Sequence, residues 1–229
     1  ALRRVARVGK RMGNAGACDA LCQGSSRARV ARALGHLHRQ EDDMAGAVYE
    51  ALIERRTIHD YSSEPVPEEA VLRALESATR APNHKLTNPW RFIRVGPQGR
   101  EAIAALGVEL KSRDRVLPEK VVERIRGKLL GAPELIVVTQ LVDDDDFRER
   151  EDYAAISCAI QNMMLSLWSE GIGTKWSTGG VTRDAQTYAL LGVPEGERIV
   201  GFVWAGYPLE EPRVVPPRRA IEDVLRYVP

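Results

Sequence analysis

At 229 residues and 44% hydrophobic content, the chain can form one large domain or two small ones around a real core. A formal charge of +1 excludes a strongly basic nucleic-acid binder as a whole, and no apolar run approaches the roughly 18 residues of a membrane span. The balance is uneven, since residues 1–43 hold nine Arg or Lys against four acids while residues 44–229 hold 24 against 28.

The first segment, residues 1–43, is rich in Arg, Ala and Gly, lacks aromatic residues, and is expected to be loose or weakly helical near Arg27 to Leu37. It reads as a basic tail, an Arg-rich targeting peptide, or translated sequence upstream of a start at Met44; Gln40-Glu41-Asp42-Asp43 is compatible with a purine-rich ribosome-binding site. Cys18, Cys22, His36 and His38 fall here, but their spacing lacks a zinc-finger framework and no metal site is expected. Residues 44–229 are read as one folded domain.

That domain opens with a helical stretch, Ala47 to Arg55, followed by Arg56-Thr57-Ile58-His59-Asp60-Tyr61. A second helix starts at Pro67, with Glu68 and Glu69 in its first turn and Val71, Leu72, Leu75 and Ala78 at helical spacing, and Pro82 stops it. The loop Ala81 to Pro89 carries His84, Lys85 and Asn88, then Trp90 to Val95 alternates apolar and basic residues as a strand does. Binding groups often stand on such loops between rigid elements.

Gln98 to Arg113 and Pro118 to Leu130 read as amphipathic helices separated by a weak breaker region, Ser112 to Leu117. Glu134 to Leu141 is nearly continuous in β-branched and apolar residues and reads as a central strand. Asp143 to Asp146 lacks the alternation of a calcium loop and reads as an acidic helix start. The helix Phe147 to Ser169 is apolar nearly all round in its second half, and Cys158 within it is expected to be a small buried residue. Gly171-Ile172-Gly173 lacks a third glycine and follows a helix, which excludes a dinucleotide fingerprint; a C-cap leading into a strand through Trp176 is expected. A short helix to Leu191 capped by Gly192, a buried strand Arg198 to Ala205 and a proline-punctuated tail complete the chain. The tail is too thin to fold alone and must lie on something.

Three ordered blocks carry a family resemblance. Arg80-Ala81-Pro82-Asn83-His84-Lys85-Leu86-Thr87-Asn88-Pro89-Trp90-Arg91-Phe92 resembles the A-P-S/D followed by Q-P-W-x-F of nitroreductase-like flavoproteins, especially their minimal-size members. Arg55-Arg56-Thr57-Ile58-His59-Asp60-Tyr61 with Pro65-Val66 is similar to the family's R-R-S-x-R-x-F and P-V. The third block runs through Gly171, Gly173 and Trp176, then Leu191-Gly192-Val193-Pro194, then Ala205-Gly206-Tyr207-Pro208.

The resemblance implies an α+β fold, a three-layer α/β/α sandwich on a mostly antiparallel sheet, in a homodimer whose C-terminal tails exchange across the interface. It implies FMN as cofactor and NADH or NADPH as co-substrate, with hydride passing through flavin N5 to an electron-poor acceptor such as a nitroaromatic or quinone. Arg55, Arg56 and Thr57 would hold the phosphate and ribityl end, assisted by Arg218 or Arg219; guanidinium forks suit a phosphate dianion. Arg80 and His84 would reach the flavin bound largely by the other subunit, Lys85 or His59 would neutralise the N1–C2=O edge, and backbone around Trp176, Ser177 and Thr178 would meet N5 and O4.

Three positions depart from the family pattern: Thr57 for serine, His59 for Arg or Lys, and Asn88 for glutamine. Specialised chemistry on the same fold, dehalogenation or flavin modification, is one alternative. A non-enzymatic flavin-binding module whose basic tail engages nucleic acid is the other. The expected partners are a second copy and a small-molecule acceptor, with neither nucleic acid nor membrane, and sparse cysteine suggests the cytoplasm.

Overall fold

The computed structural model describes residues 43–210, 212 and 215–228. The expectations for residues 1–42, including Cys18, Cys22, His36 and His38, lie outside the described residues. The chain divides into two units at Val48/Tyr49. Of the first unit, only the opening turns of helix α1 (Asp43–Glu54) are described.

The second unit is built on four strands, β1 (Trp90–Arg94), β2 (Glu134–Leu141), β3 (Gly173–Ser177) and β4 (Glu197–Gly206), in the order β1-β2-β4-β3. Every pairing is antiparallel, with Phe92 opposite Val138, Val137 opposite Phe202, and Trp176 opposite Val203. A register shift at Val138/Thr139 marks a bulge in the central pair. β2 is buried along its middle, which is why its sequence is apolar on both faces.

Strand alternation divides those apolar residues between two cores. Ile136, Val138, Val203 and Ala205 face helices α2 (Glu68–Thr79) and α5 (Asp146–Trp168), which supply Val71, Ala74, Ile156, Ile160 and Met163. Leu135, Val137, Phe202 and Trp204 face the other way. That side is covered by Ile103 of α3 (Pro97–Ser112), Leu129 of α4 (Glu119–Leu130), and Tyr188 and Leu191 of α7 (Ala185–Leu191). This is the expected α/β/α arrangement, and each fully buried Leu, Ile or Phe contributes about 1.5–3 kcal/mol.

Local chemistry explains where the elements begin and end. The Asp145 carboxylate accepts from the backbone N–H groups of Phe147 and Arg148, so the acidic run is a helix cap. Among the described residues, no cluster of His, Cys, Asp or Glu could hold a metal ion. Gly171, at φ 75°, turns the chain out of α5, and Ile172 N–H donates to the Leu167 carbonyl. Gly192, at φ 63°, ends α7, and the four-residue α6 (Gly180–Arg183) fills the turn before it. After α4, the Arg100 guanidinium donates to the carbonyls of Leu130, Ala132 and Pro133, tying α3 to the turn into β2.

Some expectations need correction. Cys158 is exposed, because the buried stripe of α5 runs through Asp152, Ala155, Ile156, Ala159, Ile160 and Met163 and leaves position 158 outside it. Leu72 is likewise exposed, since Ala70, Val71, Ala74 and Ala78 form the inner face of α2. The tail, expected to cross a partner subunit, carries α8 (Ile221–Val224), and its Ile221, Val224, Leu225 and Tyr227 are all exposed. Among the described residues, no helix is long and apolar enough to cross a membrane.

Candidate functional site

Arg55, Arg56 and Thr57 leave the C-terminus of α1 and run beside β3. Thr57 forms a parallel bridge with Thr174, and Ile58 N–H donates to the Thr174 carbonyl at 3.0 Å. Ile58 is buried against Gly173, where an added Cβ would stand 2.3 Å from its Cγ1. Glycine at 173 therefore lets the arginine segment lie directly against the strand. Tyr61 secures the same segment, its hydroxyl donating to the Ile58 carbonyl at 2.8 Å, and burial pushes its pKa well above the usual phenol value.

Arg55 is crowded by like charge. Burial first, then the charges of Arg56 and Arg218, push its pKa below the ordinary guanidinium value. Its buried Nε has no hydrogen-bond partner among the described residues. Arg56 turns back to donate to the carbonyls of Ile53 and Arg55, and Arg218 donates to Pro216 and Pro217. A half-buried guanidinium under the repulsion of two other positive charges fits an anionic group with several acceptor oxygens, such as a phosphate. Thr57, His59 and Arg219 are exposed.

On β3 the side chains alternate. Trp176 turns towards the α2/α5 side and lies over Gly201, where an added Cβ would be 2.2 Å from its Nε1. That Nε1 is buried and lacks a partner among the described residues, as does Thr174 Oγ1. Ser177 turns the other way, its hydroxyl accepting from Trp204 Nε1 at 3.0 Å, while Thr178 is exposed. Lys175 shares the Ser177 face, with Nζ 5.5 Å from the centroid of the Trp204 ring. Burial and Lys128 lower its pKa, against the opposing effect of Asp60.

The other expected residues lie elsewhere. Arg80 caps the end of α2 and pairs with Glu76 at 3.3 Å, and His84 Nδ1 is 2.8 Å from Glu151 of α5. Lys85 is exposed in the left-handed turn between α2 and β1. Because β1 and β3 are opposite edges of the sheet, at least three strand spacings, about 14 Å, separate this loop from Arg55. Within one chain the candidate residues thus fall into two separate groups.

Asp152, Asn83 and Thr87, which brace the 83–88 loop, were not anticipated. Thr87 Oγ1 donates to the buried Asp152 carboxylate at 2.5 Å. The legible signal was an acid at the spacing of the apolar stripe of α5.

The Nitroreductase family model matches residues 52–207, a span holding both groups of candidate residues but not Arg218 or Arg219. A Bacillus subtilis (strain 168) relative named "Putative NAD(P)H nitroreductase YfhC" is 33% identical over 162 residues, covering 70% of this chain and 84% of the relative. The Nitroreductase-like Family Protein from Bacillus cereus superposes with a TM-score of 0.69 at 26% identity, covering 79% of this chain and 95% of that one. An FMN complex from Desulfovibrio desulfuricans gives a TM-score of 0.61 at 26% identity, covering 80% and 96%. With the family match spanning more than half of the sequence and the sheet, helix layers and ordered motifs all in agreement, the chain belongs to the Nitroreductase family.

Proposed function

We propose that the protein is a homodimeric, FMN-dependent NAD(P)H oxidoreductase that reduces electron-poor acceptors such as nitroaromatics or quinones. The observation that carries this reading is the half-buried Arg55 beside β3, crowded by the charges of Arg56 and Arg218, with an Nε that has no partner among the described residues. The FMN bound by the Desulfovibrio protein and the NAD(P)H in the Bacillus relative's name support the choice of cofactor and reductant.

Arg55, Arg56 and Thr57 would hold the phosphate and ribityl end of FMN, with Arg218 or Arg219 closing over the phosphate. The backbone N–H groups of Trp176, Ser177 and Thr178 would line the ring edge, where fixed donors stabilise developing charge without reorganising. Lys85 or His59 would supply positive charge at the pyrimidine edge, and Arg80 and His84 would come from a second copy. Bound FMN would supply hydride acceptance from NAD(P)H and hydride delivery to the acceptor in turn, so the chain need provide no acid or base for the transfer itself.

A second copy is favoured by the two separate groups of candidate residues and by apolar surface that a lone chain leaves wet. Tyr49, Leu52 and Ile53 of α1 and Ile221, Val224 and Leu225 of the tail are exposed. In a dimer with exchanged tails, these surfaces would be covered. The cytoplasm is the proposed setting, on the sparse cysteine content.

The test is the visible spectrum of the purified protein before and after anaerobic NADH or NADPH, with sedimentation to read the oligomer. A flavin band that bleaches and a dimeric mass are expected. A flavin band that stays would favour specialised chemistry or a binding module, and no flavin uptake from added FMN would refute the proposal.

A further inference from the structure

The connection from α2 to β1 contains three non-glycine residues in the left-handed region within four positions: Lys85 at φ 60°, Leu86 at φ 53° and Asn88 at φ 48°. Such conformations are unfavourable for L-residues and persist only where the surroundings hold them. Packing of their own side chains offers no compensation, since Lys85, Leu86 and Asn88 are exposed. Leu86 is 78% exposed.

A chain of hydrogen bonds holds this shape. Asn88 N–H donates to Asn83 Oδ1 at 2.7 Å, Asn83 Nδ2 donates to Thr87 Oγ1 at 2.9 Å, and Thr87 Oγ1 donates to Asp152 Oδ1 at 2.5 Å. Asp152 belongs to the apolar stripe of α5 and is only 4% exposed. A carboxylate at such a position is costly and adds nothing to the core that an apolar residue would not. Its neighbour Glu151 reaches the same loop through His84.

We propose that Asp152, acting through Thr87 and Asn83, is a positioning residue that sets the backbone of the 84–88 loop for contact with the bound flavin. This rests on the flavin reading above. Releasing Thr87 would let the left-handed residues relax, so only a fraction of molecules would present the loop correctly. Apparent FMN affinity falls by that fraction.

The experiment follows FMN release from the purified holoprotein on dilution, by recovery of free-flavin fluorescence. Limited trypsin digestion, with mass analysis of cleavage at Lys85–Leu86, reports the loop directly. Asp152→Ala and Thr87→Val are expected to weaken FMN binding about ten- to hundredfold and to open the Lys85–Leu86 bond, whereas Thr87→Ser, which keeps the hydroxyl, stays near wild type. Should Asp152→Ala fail to fold, Thr87→Val carries the test.

Unchanged FMN affinity in Thr87→Val overturns the proposal. So does equal weakening in Thr87→Ser, or weakening without any change in trypsin sensitivity at Lys85. A wild-type protein that takes up no FMN overturns the flavin reading itself and this inference with it, so the two failures are distinguishable.

Discussion

Replacing Gly173 with alanine tests whether the Arg55–Thr57 segment is held by close approach to β3. The new Cβ would stand 2.3 Å from Ile58 Cγ1, 2.9 Å from Ile58 Cβ and 3.1 Å from Pro208 Cγ. Carbon atoms pack at about 3.5–4.0 Å, so relief needs a displacement of more than about 1 Å. Ile58 cannot swing clear: it is branched at Cβ, buried at 5% exposure, and held through its N–H to Thr174 at 3.0 Å. Overpacking of this kind costs about 1–3 kcal/mol, and loss of the backbone bond adds about 1 kcal/mol. At about 2–4 °C per kcal/mol for a domain of this size, the unfolding midpoint should fall by about 4–16 °C.

Thermal unfolding followed by circular dichroism would measure it, beside two other glycines. Gly171→Ala, at φ 75° with open space around it, should lose about 1–2 kcal/mol through backbone conformation alone. Gly127→Ala, exposed within α4 with nothing near it, should gain about 0.5–1 kcal/mol. A Gly173→Ala midpoint within about 1 °C of wild type would refute the close-approach account. If the midpoint falls but FMN affinity does not, the packing argument survives and its link to the arginines fails.

Three further outcomes are expected. Arg100→Ala should lower stability to urea by about 2–3 kcal/mol, because three carbonyls at and just past the end of α4 lose their donor, and Arg100→Lys should recover only part of it; full recovery would show that charge alone suffices. Tyr61→Phe should cost about 1 kcal/mol at neutral pH through the lost bond to Ile58. With the Tyr61 pKa raised in the fold, the unfolded chain ionises first, so wild-type stability should drop as pH rises above about 10 and the gap to Tyr61→Phe should narrow; urea titrations giving a constant gap would contradict this. Arg55→Gln should weaken FMN binding yet leave the FMN-free protein as stable as wild type or more so, since it removes a half-buried charge repelled by Arg56 and Arg218; a large loss of FMN-free stability in calorimetry would oppose the anion-site reading.

What the sequence by itself determined is local or periodic. The apolar run of β2, the proline that stops α2, the glycines that turn the chain after α5 and α7, and the three motif blocks all express preferences acting over a few residues. Those preferences act before the chain closes on itself, so they are readable in order. Motif resemblance then supplied the α/β/α architecture and named the arginines as candidates for binding.

Only the tertiary structure decided which side of each helix was covered. Cys158 and Leu72 carry ordinary core side chains but lie outside the buried stripes of α5 and α2. Tertiary folding also joined groups with no sequence relation, Thr87 with Asp152 and Ser177 with Trp204, and brought the charge of the tail's Arg218 to bear on Arg55. The separation of the candidate residues into two groups at opposite sheet edges follows from the strand order β1-β2-β4-β3, which no short window contains. Burial, like-charge crowding and strand order depend on where distant segments meet, and that is settled only when the whole core packs.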